Sequence, residues 1–310
     1  MWTSSALAQY NKQAGRSAPR PEMAEDESAP AEKPSSERKR RRSDERPPVQ
    51  QIARDSFGNA QGSQYDLAVD GAFDGQTILI VDFYSNQNGQ DFSGPKNAVR
   101  EKGFSMVRYS EAPTPDELSK LLAKANQFWL IASCDNKVHL NANHHAAIKK
   151  FFDAGHGVYL WGDNDPCNAD ADKLAQILVG ARVRGNLPGD QTVTISDGAG
   201  KPGVVRDHLL STGVENVYEG ITVATVEPTS QMTPVIYGSA GNLVAAAYES
   251  KDKRLLVDGG FTRLSYKWNT AGTGRYIKNA AAWLANYERF GDKVLSSELA
   301  AKKEQQQIAK

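Results

Sequence analysis

Cysteine is scarce in this chain. Cys134 and Cys167 are the two present among 310 residues, too few for the disulfide framework on which small secreted domains depend. The simpler reading is a reducing, intracellular compartment. No CxxC or HExxH spacing occurs, which removes the usual zinc signatures. No apolar run approaches the ~18 residues of a membrane span, and the first residues lack the apolar core of a secretory signal. Residues 1–21 carry Lys12, Arg16 and Arg20 without an acid, a faint transit-peptide character; the expected location is cytoplasmic. Charge of one sign is lacking too: 37 basic residues face 37 acidic ones, so the chain as a whole gives no argument for nucleic acid. One local exception is Arg38-Lys39-Arg40-Arg41-Arg42, followed by Arg46. Such a run serves nuclear import or contact with a polyanion, although Glu37, Asp44 and Glu45 beside it also suit a solvated linker.

The apolar residues that are present are unevenly placed. Residues 1–72 are poor in Ile, Leu, Val and Phe and rich in Pro, Ser, Ala, Gln and charge. A segment of that kind cannot bury enough apolar surface to offset its ordering entropy, so a disordered tail is predicted. An α/β domain is predicted over 73–291 and a polar extension over 292–310, at best an exposed helix.

Within the domain, strands and helices alternate. "TILIVDFYS" (77–85), "FSMVRYS" (104–110), "FWLIASC" (128–134) and "GVYLWGD" (157–163) are the nearly continuous apolar runs of strands covered on both faces. Between them lie helices with recognisable ends. Gly94-Pro95 opens one that Gly103 closes; Thr114 caps another, with Pro115 in its first turn. In "NANHHAAIKKFFDAG", His144, Ile148, Phe151, Phe152 and Gly155 share one face. "ADKLAQILVG" follows, stopped by Gly180. The second half opens with a loop-rich β excursion, then two strands around Ser239–Asn242, a buried strand "KRLLVDGGF" and a closing helix "GTGRYIKNAAAWLANYERF". The fold class predicted is a doubly wound, mostly parallel α/β sheet of flavodoxin-like type.

In such a sheet, ligands bind outside the carboxyl ends of the strands. That rule gathers Asp82, Asp135, Asp163, Asn164, Asp165 and Asp258, with His144 and His145 on a helix beginning at the same edge. The carboxylates would suit Mg²⁺ or Ca²⁺, and a hydrolase using this acidic edge is one reading. His139, His144, His145, Cys134 and Cys167 have zinc-compatible chemistry but no zinc spacing. The loop "NQNGQDFSGPKN" leads into a helix N-terminus that favours anions, yet it lacks the nucleotide-binding glycine patterns. At "WGDND" (161–165) a strand runs into a tight turn and a helix, the setting of a nucleophile elbow. Asp163 there is read as a turn residue and ligand contact, because Asp is favoured in such turns for its bonds to nearby backbone N–H groups.

The order of elements, "GVYLWGD" before a helix and the late "RLLVDGGFTRL…NAAAWLANYE" resemble a class I glutamine amidotransferase-like domain over about residues 75–290. The likeness is nearer to the non-catalytic ThuA-like and GIFT-type relatives, which often end in a strand, a Gly-containing turn and a helix finishing in "WL". In active members the elbow carries a cysteine and the late strand ends in Phe-His-Pro-Glu. Here Asp163 stands in the elbow and Thr262 follows Phe261, while Cys134 and Cys167 fit neither position. The resemblance therefore implies a domain without the catalytic pair: a module binding a small ligand or a protein partner, with no cofactor.

Overall fold

The computed structural model describes residues 52–84, 91–250 and 252–287. The basic run, the rest of the expected tail up to residue 51, positions 85–90 of the glycine-containing loop and the extension 292–310 lie outside the described residues.

The first half builds as its apolar runs require. Strands β1 (Thr77–Asp82), β3 (Gln127–Ile131) and β4 (Gly157–Trp161) are buried almost throughout, and β2 (Ser105–Tyr109) flanks them as a half-exposed edge. Late in the chain β12 (Lys253–Asp258) pairs in parallel with β4. The order β2-β1-β3-β4-β12, all parallel, is the flavodoxin-like arrangement, confirming the predicted class. Alternate residues of each strand serve two cores. Leu79, Val81, Leu130 and Leu160 pack beneath α2 (Pro115–Leu122), α3 (Ala142–Asp153) and α4 (Ala169–Val179). Ile80, Trp129, Tyr159 and Trp161 pack beneath α1 (Ser93–Glu101) and α6 (Thr273–Leu284). Each such side chain withdrawn from water is worth about 1.5–3 kcal/mol, so these two layers hold the domain.

Helix ends follow local chemistry. Thr114 and Glu117 exchange side-chain and backbone bonds at the start of α2, with Pro115 in the first turn, as predicted. Asn141 caps α3 by accepting the N–H groups of Asn143 and His144. Gly103 closes the segment after α1 at φ +98°, where a side chain would run into the Phe73–Asp74 backbone.

The second half extends the same sheet rather than forming a separate layer. β11 (Leu243–Ser250) adds antiparallel to β12 and β10 (Met232–Tyr237) antiparallel to β11, followed by β7 (Gly203–Val205), β6 (Thr192–Ser196) and β8 (Asn216–Tyr218). A two-stranded ribbon of β5 (Arg182–Pro188) and β9 (Thr222–Glu227) stands apart. A short helix α5 (Thr262–Ser265) follows the "GGF" turn. Among the described residues no helix is long and apolar enough to cross a membrane.

Two sequence expectations need correction. Residues 52–72, assigned to the tail, belong to the domain: Leu67 and Ala68 enter the core, and Asp66 pairs with Lys102 at 2.9 Å, Arg275 at 2.6 Å and Lys278 at 2.7 Å. This segment covers the outer face of α6, where Asn279 accepts the Leu67 N–H at 2.8 Å; hence α6 is enclosed almost all round instead of on one stripe. Low apolar content hid this because the anchoring is ionic. The second correction concerns the cysteines. Cys134 and Cys167 are joined by a disulfide, since the exits of neighbouring strands bring together residues 33 apart in sequence. The inference of a reducing compartment loses its support.

Candidate functional site

β4 ends at Trp161, and the chain turns sharply at Gly162. A side chain at Gly162 would press within 3.0 Å of Val183 and 3.3 Å of Asn168, so the turn packs directly on β5 and α4. Asp163 then turns inward and is 2% exposed. Its Oδ1 accepts the Asn164 N–H at 2.9 Å, while its own N–H bonds the Cys167 carbonyl at 2.9 Å. The Cys167 N–H in turn donates to the Asn164 carbonyl at 2.7 Å. Burial pushes the Asp163 carboxyl up to about 8; the Asn164 N–H and the Arg263 cation oppose this and the Asp258 charge adds to it. This shift favours the protonated form of the group at neutral pH.

The neighbouring residues of the turn are committed elsewhere. Asn164 Oδ1 accepts the Thr222 hydroxyl at 2.6 Å. Asp165 accepts the Asn168 amide at 2.5 Å and the Gly185 N–H at 3.0 Å, tying the turn to α4 and β5.

Asp258, at the end of β12, is fully buried. Its Oδ1 accepts the Gly260 N–H at 2.9 Å and Arg263 Nη2 at 2.5 Å, and its Oδ2 accepts the hydroxyls of Tyr159 and Tyr276, each at 3.2 Å. Burial raises the Asp258 carboxyl from its usual range, against Arg263 and these neutral donors. Arg263 is also fully buried, its Nε donating to the Gly260 carbonyl at 3.1 Å and its guanidinium 5.8 Å from the centre of the Trp161 ring. Arg263 Nη1 and Trp161 Nε1 are buried donors with no protein acceptor among the described residues. Tyr84 and Tyr266 flank this cluster, their hydroxyls 3.5 Å apart, with Phe261 tilted against the Tyr84 ring. The Tyr84 phenol is raised by burial first, then by Tyr266 and Asp163.

The other sequence candidates have surroundings of their own. Asp82 is clamped by Arg108, with Nη2 at 2.7 Å and Nε at 2.9 Å. Asp135 holds the Ser133 hydroxyl and lies 3.7 Å from Lys137 Nζ; the Ser133 bond keeps its carboxyl below the usual range despite opposing desolvation. His144 is occupied by its own helix cap and by the Pro113 carbonyl at 2.8 Å. His145 is buried, which pushes its ring pKa down, and its Nε2 has no protein partner among the described residues. Of the aspartates gathered at this edge, Asp258 acts on Asp163, its charge adding to the upward shift of the Asp163 carboxyl. Among the described residues the one carboxylate cluster at metal-ligand spacing is Asp66, Asp70 and Glu101, where Lys102 and Lys278 already supply the counter-charge.

Some contributors escaped the sequence reading. Arg263, Tyr159 and Tyr276 complete the Asp258 site, and an arginine inside the apolar "GGFTRL" was the available signal. His139, considered only as a metal donor, bridges Asp170 at 2.9 Å and Asp135 at 3.2 Å. Asp170 also accepts the N–H groups of His139 and Leu140, so the β3–α3 loop is pinned to the start of α4.

No family model and no curated protein matches the chain. Among solved structures, the mmIFT52 N-terminal domain superposes with a TM-score of 0.52 at 14% identity, over 67% of this chain and 97% of that one. The likeness is one of fold. A GMP synthase-type protein from Thermoplasma acidophilum aligns at 15% identity over 70% of this chain and 98% of its own, with a TM-score of 0.45. The cytoplasmic protein STM1381 of Salmonella typhimurium LT2 aligns at 10% identity over 69% and 99%, with a TM-score of 0.47.

Proposed function

We propose that this chain is a non-catalytic amidotransferase-like domain, nearest in kind to the ThuA-like and GIFT-type relatives. It acts as a binding module for a small ligand or a segment of a partner protein, with the Asp163 elbow as the contact point. One observation carries the reading: the elbow presents the buried carboxyl of Asp163 where an amidotransferase needs a thiolate. Nucleophilic catalysis requires a nucleophile with a base in hydrogen-bond reach; among the described residues the bonds of Asp163 go to the Asn164 N–H and the Cys167 carbonyl, and burial disfavours its ionised form. Both cysteine sulfurs are engaged with each other. The unfilled donors Arg263 Nη1 and Trp161 Nε1, beside a carboxylic acid and two tyrosines, favour a ligand rich in acceptor atoms.

The alternative of a hydrolase with a metal-loaded acidic edge has less support, because Asp82, Asp135 and Asp258 are each held by protein donors or cations. The test is to incubate the protein with L-glutamine, and separately with Mg²⁺ or Ca²⁺, reading ammonia release and melting temperature. Neither ammonia nor a metal-dependent rise in melting temperature is expected. Ammonia release, or a metal-dependent rise lost in Asp163→Asn, would replace the binding reading with the hydrolytic one.

A further inference from the structure

We propose that the Cys134–Cys167 bond is a reversible redox lock on the turn that carries Asp163. The placement of the bond argues for a local device rather than a structural staple. It spans the loops leaving β3 and β4, yet those strands are already paired from Gln127 with Gly157 to Ile131 with Trp161. The Ala132 N–H then bonds the Trp161 carbonyl at 3.0 Å, and the Gly162 N–H bonds the Asp258 carbonyl at 2.8 Å. Cys134's loop is independently tied to α4 through Asp170. The sheet holds both strand exits in place whether or not the sulfurs are joined.

The turn itself is held by side chains and single bonds rather than by strand pairing: Asn164 to Thr222, and Asp165 to Asn168 and Gly185. Cys167 is the residue that closes it, receiving the Asp163 N–H and donating to the Asn164 carbonyl. Two backbone bonds and the disulfide thus meet at one residue, and the bond is the only covalent tether restraining it. Both cysteines are half-buried, within reach of a thiol from solvent, and they are the only two in the chain, so exchange has no competing pairings.

The step is thiol–disulfide exchange with a dithiol reductant. A thiolate of the reductant attacks one protein sulfur, the S–S bond breaks, and the other protein sulfur leaves as a thiolate that takes a proton. The second reductant thiol, deprotonated, resolves the mixed disulfide. Two electrons and two protons pass to the protein, which ends as Cys134 and Cys167 thiols, and the reductant ends as a disulfide. Without the tether, the turn from Asp163 to Asn168 opens more often and the carboxyl gains access to water.

The experiment compares the oxidised protein, the protein equilibrated with dithiothreitol, and Cys134→Ser/Cys167→Ser, by amide hydrogen exchange and far-UV circular dichroism, with thiols counted by alkylation and mass. The lock predicts no free thiol before reduction and two after it, unchanged secondary structure, and exchange at Asp163 and Cys167 faster by about tenfold or more. Exchange within β3 and β4 stays constant, removal of reductant restores the slow rate, and the serine variant matches the reduced protein. Three results overturn the proposal: free thiols in protein prepared under air, exchange at the turn that ignores reduction, or global unfolding on reduction, which would make the bond a staple. If the serine variant does not fold, the reduced wild-type protein alone decides.

Discussion

At the scale of single residues, two buried aspartates lie near each other but respond differently to substitution. Asp163 keeps its proton up to about pH 8 in the folded chain and loses it near its ordinary value of about 4 when unfolded. The native state therefore binds one extra proton between those values, and stability declines as pH rises through that window. The contribution is fully present below about pH 4 and gone above about pH 8. Asp163→Asn removes it. Relative to the parent, the variant should gain on the order of a few kcal/mol between about pH 5 and about pH 8 in urea unfolding. Parallel stability curves across that range would mean that the carboxyl is ionised in the fold. Asp258 is the opposite case, because it neutralises an arginine with no access to water. Asp258→Ala strands Arg263 and should cost about 3–5 kcal/mol, whereas Tyr276→Phe, which removes one of several donors, should cost about 1 kcal/mol. A urea midpoint for Asp258→Ala within error of the parent would show that Arg263 finds another partner.

At the scale of elements, the parts legible in the sequence were those specified locally. The strands from Thr77, Ser105, Gln127 and Gly157 are apolar runs with punctuation at each end, and Thr114 with Pro115 writes the start of α2 in adjacent letters. Pairings across distance were not legible. The order β10-β7-β6-β8 and the separate β5–β9 ribbon depend on which short strand lies beside which, and alternation alone does not encode that. The candidate site divides the same way. Asp163 and Asp258 could be placed at the carboxyl edge from strand ends alone. Their companions could not, because Arg263, Tyr159 and Tyr276 come from three elements and meet only after folding. The disulfide belongs with these, since the closeness of Cys134 and Cys167 is a property of the β3–β4 register.

At the scale of the whole molecule, the domain reaches further toward the N-terminus than composition suggested. Asp66 is the counter-charge for Lys102, Arg275 and Lys278, and Lys102 is buried. A chain beginning at residue 52 should melt like the full protein. One beginning at residue 73 leaves a buried ammonium unpaired and uncovers α6, a loss on the order of 5 kcal/mol that takes up most of an ordinary stability margin. Equal melting temperatures for the two chains would show the segment to be an ornament. The sheet also has unequal ends. β8 is only three residues long, and its outer side is already engaged by the Val217–Ala271 bridge and by the Gly272 N–H on Asn216. β2, by contrast, has β1 as its one strand neighbour among the described residues. A ribbon with one edge sealed and one edge open can add a single further strand or a single twin across a two-fold axis, and there growth stops. Among the described residues, this sheet therefore offers β2 as its one edge for strand-mediated pairing.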